Sequence, residues 1–242
     1  MPPWRGIFVA EVVALQAVIL AGGQGSRLRP CTDARPKCLV EVRGVPIVRH
    51  QVEWLTSSGV DHVVVAAGHR GTDVARYVAS LRLRARVDVL VEPRPLGRGG
   101  ALSHAARCLP RPAEPWIATY GDIWTWFPLP EMAVHHRLHG RTVTMAVTRS
   151  PYSRHAVEYG STGQVTRLGT GHWANAGVYI FAPRLAKMLP TLGDHNQTLT
   201  HLATTGDIMG YPINSPWWAI NTPADLARIN AELREPSTSE RS

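Results

Sequence analysis

Apolar, β-branched runs alternate with amphipathic segments along most of this 242-residue chain. Six of these runs are bounded by turn residues and predict interior strands at 17–21, 62–66, 87–91, 116–120, 142–147 and 178–181. Segments with helical periodicity and start or stop signals lie between them, at 46–59, 73–83, 100–109 and 129–140. This alternation predicts an α/β fold with a mostly parallel sheet covered by helices on both faces. Ligands of such sheets bind at the carboxyl ends of the strands.

The pattern changes after residue 150. The segment 155–168 predicts a β-hairpin, with Val157 and Tyr159 before a polar turn and Val165 and Leu168 after it. We expect residues 150–174 to form a lid or small subdomain on a single domain that spans 16–234. Residues 1–15 are expected to be an N-terminal extension without an assigned role, and 235–242 a disordered polar tail.

The last helix has a clear start signal. Thr222 is a predicted N-cap, Pro223 occupies the first helical position and Asp225 lies three residues after the cap. An additional short helix is predicted at 184–189.

Composition limits the class of protein. With 44% hydrophobic and 18% charged residues, the chain is expected to be globular. Its apolar segments fall short of the roughly 18 residues that a membrane span requires, and the N-terminal stretch has no convincing cleavage site. The three cysteines lack metal or redox spacing, which fits a reduced, cytoplasmic protein.

The net charge of +8 could indicate nucleic-acid binding, but the arginines are dispersed along the chain. A basic surface attracts any phosphorylated substrate, so the charge alone does not indicate nucleic acid. We expect no nucleic-acid partner and no membrane partner. Only Lys37 and Lys187 are lysines among the 26 basic residues. A lysine inside a glycine-rich loop therefore indicates a site that requires a compact ammonium group.

The loop from 17 to 37 follows the first predicted strand. Gly22, Gly23 and Gly25 would let backbone amides approach an anion, while Arg27 and Lys37 could neutralise phosphate oxygens. A P-loop requires Gly-Lys-Ser/Thr at a helix start, and a dinucleotide fingerprint requires a third glycine at the position of Leu28, so neither motif is present. An ordinary turn with solvated arginines remains an alternative.

Three further segments follow predicted strands. Asp122, after Gly121, places a carboxylate at the sheet edge, where a hard divalent cation could use it together with phosphate oxygens. Residues 92–102 form a Pro- and Gly-rich wall suited to a flat ring, and Asn175 with small neighbours leaves room for a polar ligand. Each segment taken alone could be an ordinary turn or loop.

Together, these segments resemble the sugar-1-phosphate nucleotidyltransferases over about residues 16–233. The resemblance is carried by "GGQGSRLRP" and "RPK", by "LGRGGA", by Gly-Asp after a strand, and by "NAGVY". It implies a Rossmann-like three-layer α/β/α fold, the nucleotide-diphospho-sugar transferase fold, with a small hairpin lid. It also implies that a nucleoside triphosphate and a sugar 1-phosphate give an NDP-sugar and pyrophosphate, with Mg²⁺ as the cofactor.

The resemblance also implies roles for individual residues. Arg27, Lys37 and Asp122 would be catalytic, and Asp122 and Asn221 would hold the metal. The nucleotide-binding residues would be Ala21, Gly22, Gly23, Gly25, Ser26, Glu92 and Gly97. The sugar-binding residues would be Gly121, Glu158, Asn175 and Gly177.

Two departures from the family pattern are present. Gly171 and His172 replace a lysine that in many relatives contacts the sugar phosphate, and Arg167 or His172 could substitute for it. Ala219 replaces the usual metal-binding aspartate, and Asn221 stands where acidic-sugar cytidylyltransferases carry their acid. An amide oxygen is an uncharged ligand, so Mg²⁺ would depend more on the triphosphate.

The choice of substrates stays open. Glu92 could accept hydrogen bonds from guanine N1 and N2, which favours GTP with a heptose, octose or mannose type of sugar 1-phosphate. The alternatives are a UTP- or dTTP-dependent transferase of the glucose-1-phosphate type and a non-catalytic homologue that binds a nucleotide-sugar as a regulatory subunit. The eight tryptophans could form the surface of a homodimer, or they could line the pocket and core.

Overall fold

The computed structural model describes residues 15–149 and 156–233. The strands in these residues are β1 (Leu15–Leu20), β2 (Glu41–Val42), β3 (Val45–Pro46), β4 (Val60–Ala67), β5 (Arg86–Val91), β6 (Trp116–Tyr120), β7 (Ile123–Thr125), β8 (Val143–Thr148), β9 (Ala156–Tyr159), β10 (Val165–Leu168), β11 (Trp173–Phe181), β12 (Ile208–Pro212) and β13 (Trp217–Ala219). The α-helices are α1 (Ile47–Ser57), α2 (Gly71–Ala79), α3 (Gly97–Ala106), α4 (Leu129–His139), α5 (Asn196–Thr204) and α6 (Pro223–Glu232). Short 3₁₀ helices lie at Ser26–Leu28, Lys37–Leu39 and Pro183–Lys187.

The central sheet is mixed and contains nine strands. One half has the order β5-β4-β1-β6, and all its pairs are parallel. The long strand β11 pairs antiparallel with β6, β8 and β9, and β12 runs parallel to β8. Because the parallel strands end at one edge of the sheet, the loops that follow β1, β4, β5 and β6 meet there.

Helices cover both faces of the sheet. The cluster that includes Ile19, Val65 and Ile180 packs against α1, α2 and α4, whereas the cluster that includes Val18 and Phe181 packs against α3 and α5. The strand residues of both clusters are almost fully buried, as expected for strands covered on both sides. The predicted three-layer α/β/α architecture is therefore confirmed.

All six predicted interior strands are present, although β11 begins five residues earlier than predicted, at Trp173. The predicted hairpin is formed by β9 and β10, and it extends the edge of the central sheet instead of forming a sheet of its own. The start of α6 is confirmed in detail, because the Thr222 and Asp225 side chains form a capping box.

Helix α5, strand β12 and the short strands β2, β3, β7 and β13 were not predicted from the sequence. The predicted extension before residue 15 and the predicted tail lie outside the described residues. Among the residues that the structure describes, no helix is both long and apolar enough to cross a bilayer.

Candidate active site

A cavity of about 1270 Å³ lies at the carboxyl ends of the parallel strands. It brings together all but one of the residues assigned from the sequence: Ala21, Gly22, Gly23, Gly25, Ser26, Arg27, Lys37, Glu92, Gly97, Gly121, Asp122, Asn175, Gly177 and Asn221. Glu158 is not among the residues that line the cavity. The volume is ample for a nucleotide with an attached sugar.

The loop after β1 is fixed by backbone contacts at its two ends. The Ala21 N–H donates to the Ala66 carbonyl at 2.8 Å, and the Gly22 carbonyl accepts from the His69 N–H at 3.2 Å. Gly25 adopts φ +67°, and its carbonyl accepts from the Thr32 hydroxyl at 2.9 Å. Between these anchors the exposed backbone of residues 23–24 faces the cavity, as an anion-binding loop requires.

The turn that carries Asp122 is held by a buried glutamine that sequence analysis missed. Gln51 of α1 is 2% exposed, and its Nε2 donates to the carbonyls of Tyr120 and Ile123 at 2.7 and 2.8 Å. The Asp122 carbonyl accepts from the Ile220 N–H at 2.9 Å. These contacts fix Asp122 beside the segment that contains Asn221.

Lys37 is the centre of a charged cluster. Its Nζ donates to Asp122 Oδ2 at 2.7 Å and to Asn221 Oδ1 at 2.9 Å. Asn221 Oδ1 also accepts from Arg27 Nη2 at 2.9 Å. Two cations, one carboxylate and one amide oxygen are therefore joined by direct hydrogen bonds, and the bonded partners are 85 to 194 residues apart in sequence.

The oxygens of Asp122 and Asn221 fit a magnesium ion that takes its other ligands from phosphate groups and water. The described residues contain no group of three or more His, Cys, Asp or Glu side chains that could bind a metal. Asp122 and Asn221 supply one carboxylate and one amide oxygen, and both accept from Lys37 Nζ. Mg²⁺ is commonly held by one or two protein oxygens together with phosphates and water, so these two residues fit that role.

The predicted base wall lies beside the glycine loop. Glu92 Oε2 accepts from the Leu96 N–H at 3.1 Å, and a side chain at Gly22 would approach Glu92 Oε1 to 2.9 Å. Gly97 adopts φ +75°, and a Cβ there would lie 2.5 Å from the Gly193 carbonyl oxygen. Gly97 is thus required for close packing against another loop, which the sequence did not indicate.

Asn175 and Gly177 lie on the opposite side of the cavity. Asn175 Oδ1 accepts from the Gly177 N–H at 2.9 Å, and its Nδ2 donates to Tyr179 Oη at 2.6 Å. Gly177 has φ +71°, at a register break in the pairing of β11 with β8. Asn175 therefore stabilises an irregularity that opens β11 towards the cavity.

The hairpin residues lie elsewhere. Glu158 accepts from the Thr170 hydroxyl at 3.1 Å and contacts Arg167 at 3.6 Å. Arg167 and His172 are exposed, and neither is among the residues that line the cavity. On this geometry, neither of them supplies the cation that the sequence lacks at Gly171.

Aromatic side chains complete the wall near Asp122. Trp217 and Trp218 line the cavity, and Trp218 makes an edge-to-face contact with Trp124 at a centroid distance of 5.2 Å. Trp54 and Trp116 are buried in the core, whereas Trp126 is 49% exposed. Five of these six tryptophans, all except Trp126, thus lie in the pocket wall or the core.

A family model described as nucleotidyl transferase matches residues 16–206. The chain belongs to the nucleotidyl transferase family. The mannose-1-phosphate guanylyltransferase catalytic subunit beta of Danio rerio is 32% identical over 226 residues, which cover 88% of this chain and 62% of that protein. The mannose-1-phosphate guanyltransferase of Aspergillus fumigatus is 30% identical and is covered over 68% of its length. The chain therefore spans about two thirds of the length of these family members.

Two solved structures share the fold of this chain. HddC from Yersinia pseudotuberculosis, in complex with GMP-PN, superposes with a TM-score of 0.79 at 19% identity, over 91% of this chain and 100% of that one. A putative glucose-1-phosphate thymidylyltransferase from Bacillus anthracis also gives 0.79, at 18% identity, over 92% of this chain and 96% of that one. The predicted nucleotide-diphospho-sugar transferase fold is thus confirmed.

Proposed function

We propose that this chain transfers a nucleotidyl group from a nucleoside triphosphate to a sugar 1-phosphate, releasing pyrophosphate. The observation that carries the proposal is the contact of Lys37 with Asp122 and Asn221 at the end of the glycine loop. A compact cation beside a carboxylate, at the edge of a parallel sheet, suits the transfer of a phosphoryl-type group.

The reaction needs charge neutralisation more than proton transfer. An oxygen of the sugar phosphate attacks the α-phosphorus, the bond from that phosphorus to the bridging oxygen of the β-phosphate breaks, and pyrophosphate leaves with the electron pair. The sugar phosphate is already ionised at neutral pH, so no general base is required. Catalysis then depends on positioning and on cations near the oxygens that gain charge.

Different residues would bind the triphosphate, neutralise its charge and hold the metal. The amides of the loop 22–25 would bind the triphosphate, and Arg27 would contact its outer phosphates. Lys37 would exchange Asp122 for an oxygen of the attacking or α-phosphate. Asp122 and Asn221 would hold Mg²⁺, which supplies charge neutralisation of the triphosphate when bound.

Guanine is the base that Glu92 fits best. Its carboxylate lines the cavity beside Gly22, and it could accept from guanine N1 and N2, a pair of donors that uracil lacks. The guanylyltransferase names of the Danio and Aspergillus relatives support the same base. We therefore propose GTP with a mannose, heptose or octose type of sugar 1-phosphate, in a cytoplasmic enzyme.

The test is pyrophosphate release from a panel of four triphosphates and several hexose and heptose 1-phosphates, with Mg²⁺. We expect turnover with GTP and at least one sugar phosphate, and none after chelation of the metal. The Asp122→Ala variant, purified in the same way, controls for contaminating enzymes. If the protein binds a nucleotide but no combination gives turnover, the proposal is contradicted. That result would favour a non-catalytic homologue that acts as a regulatory subunit.

A further inference from the structure

The loop at residues 190–195 docks on the start of α3. The Gly193 carbonyl accepts from the amides of Gly99 and Gly100 at 2.8 and 3.2 Å, and the Gly193 N–H donates to the Leu96 carbonyl at 2.7 Å. A Cβ at Gly99 would lie 2.6 Å from the Pro190 side chain. The glycines of "LGRGG" thus allow this loop, which we name the docked loop, to approach the α3 backbone closely.

Docking places an ion pair at the cavity wall. Asp194 of the docked loop contacts Arg98 of α3, with Oδ2 2.7 Å from Nε and 2.6 Å from Nη2. Among the described residues these contacts use Nε and Nη2, so Nη1 remains as a donor for a ligand. The guanidinium also lies over the ring of Tyr120, 5.7 Å from its centroid, which fixes the plane of the fork.

Tyr120 connects this pair to the side of the cavity that contains Asn175. Its hydroxyl lies 3.0 Å from Tyr179 Oη, which accepts from Asn175 Nδ2, and 2.8 Å from His195 Nε2. His195 is fully buried, and burial, followed by the charge of Arg98, lowers its pKa to about 4. The imidazole is therefore neutral near pH 7, and its Nε2 can accept a hydrogen bond from the Tyr120 hydroxyl.

The two sides of the cavity differ in charge. Arg27 and Lys37 together face one carboxylate, whereas the charge of Arg98 is balanced by Asp194. Among the other polar residues that line the cavity, Asn175, Asn196 and Tyr120 are uncharged, while Glu92 and Arg94, in the base wall before Gly97, carry opposite charges. Fixed hydrogen-bonding groups with no net charge suit hydroxyl groups better than a second anion.

We propose that Arg98 is a specificity-determining residue that donates from Nη1 to a hydroxyl group of an uncharged sugar ring, and that Asp194 positions it. This inference rests on the proposed function and deepens it, because it assigns the sugar class. It also gives the docked loop a role: the loop holds the carboxylate that orients the arginine. A sugar that carries a carboxylate or a second phosphate is expected to bind poorly.

The test compares the binding of GDP-mannose with that of GDP by calorimetry, since only the former carries the sugar. In Arg98→Met we expect the Kd of GDP-mannose to rise about tenfold or more, and that of GDP to change less than about twofold. Arg107→Met is the matched control, because it removes an exposed arginine at the C-cap of the same helix and should change neither Kd. Equal Kd values for GDP-mannose in the wild type and Arg98→Met would overturn the inference.

A double-mutant cycle separates positioning from structural support. Asp194→Asn keeps an oxygen to accept from the Asn196 N–H but loses the charge that contacts Arg98. We expect it to weaken GDP-mannose binding about threefold to tenfold, and to add almost nothing in the Arg98→Met background. Additive effects in the double variant would contradict the positioning role.

Turnover distinguishes this inference from the proposed function. If the wild type converts GTP and mannose 1-phosphate, Arg98→Met should raise the KM for the sugar phosphate about tenfold with little effect on the KM for GTP. Turnover in the wild type with an unchanged KM in the variant would reject the inference alone. Absence of turnover with every pair of triphosphate and sugar phosphate would reject the proposed function, and the calorimetric comparison would still decide the role of Arg98. Faster turnover with glucuronic acid 1-phosphate than with mannose 1-phosphate would also contradict the assigned sugar class.

Discussion

The two ends of the cavity are built in different ways. We call the part of the cavity around the glycine loop, Lys37 and Asp122 the nucleotide end, and the part around Arg98 and Asn175 the sugar end, after their proposed roles. At the nucleotide end, the glycine loop and Lys37 lie in one continuous segment, and the loop is held by hydrogen bonds within that segment and to residues at the end of β4. At the sugar end, Arg98 and Asp194 are 96 residues apart and meet only because one loop docks on a helix. The comparison shows that a local segment can be recognised from sequence, whereas a site formed by docking requires the structure.

The largest expected effect is at the nucleotide end. Lys37→Ala or Asp122→Ala should lower kcat by roughly 10²–10³-fold, because each removes charge that acts on the reacting phosphates. Lys187→Ala is the matched control, since Lys187 is the other lysine of the chain and is exposed. Steady-state pyrophosphate release measures the effect. A rate near that of the wild type in either site variant would contradict the assignment of this end.

A methyl group added at Gly97 should weaken the contact between α3 and the docked loop. Gly97→Ala combines φ +75° with a Cβ 2.5 Å from the Gly193 oxygen, so we expect a loss of roughly 2–3 kcal/mol in unfolding free energy. Gly140→Ala is the control, because Gly140 has φ +61° but no atom within 4 Å of the added Cβ. Urea unfolding should show the smaller loss in the control. Equal losses would mean that the backbone angle, and not docking, accounts for the effect.

Acid should destabilise the sugar end through His195. Its pKa is lowered to about 4, so between that pH and about 6.5 the unfolded chain binds more protons than the folded chain. Stability is therefore complete above about pH 6.5 and falls as the pH decreases. We expect His195 to contribute roughly 1–2 kcal/mol to the stability that is lost from pH 7 to pH 5, measured by urea unfolding.

Variants at two histidines test the origin of this pH dependence. His195→Gln should reduce it by about that amount, and His201→Gln, at an exposed position, should not. Buried His136 and the partly buried His139 of α4, whose pKa values are lowered to about 4 and about 3 chiefly by burial, should give a similar dependence that both variants retain. An unchanged slope in His195→Gln would contradict the neutral state of that residue.

The smallest expected effect concerns the base. Glu92→Gln should lower the preference for GTP over UTP by about fivefold to tenfold, while the overall rate changes less, because only one acceptor for guanine is altered. The measurement is the ratio of kcat/KM values for the two triphosphates. Unchanged selectivity would remove Glu92 as the reason for choosing guanine.

Much of the fold could be predicted because its signals are local. Strands such as β4 and β6 are continuous apolar runs, and α6 carries its own capping residues. Helix α5 was missed because its sequence is mostly polar, and only Leu199, Leu202 and Ala203 are buried. Its position depends on tertiary packing, which outweighs its weak periodicity.

The residues of the candidate site also differ in whether the sequence could predict their positions. Residues that follow strands, such as Lys37, Asp122 and Asn175, could be placed at one sheet edge because parallel strands end together. Gln51 could not, since a polar residue inside an amphipathic helix gives no indication of the carbonyls that it binds. Glu158 was predicted from its position in a motif, and the hairpin carries it away from the cavity lining.

The docked loop has a consequence for engineering and for divergence among relatives. Since the Gly97 region and residues 190–195 contact each other through backbone atoms, a change of length or bulk in one must be matched in the other. If only one of the two segments is exchanged with that of a relative, Arg98 should be misplaced. If both segments are exchanged together, their contact should be kept. If Arg98 has the role proposed above, sugar preference in this chain would depend on two distant segments, and a change of substrate specificity would require both to be inherited together.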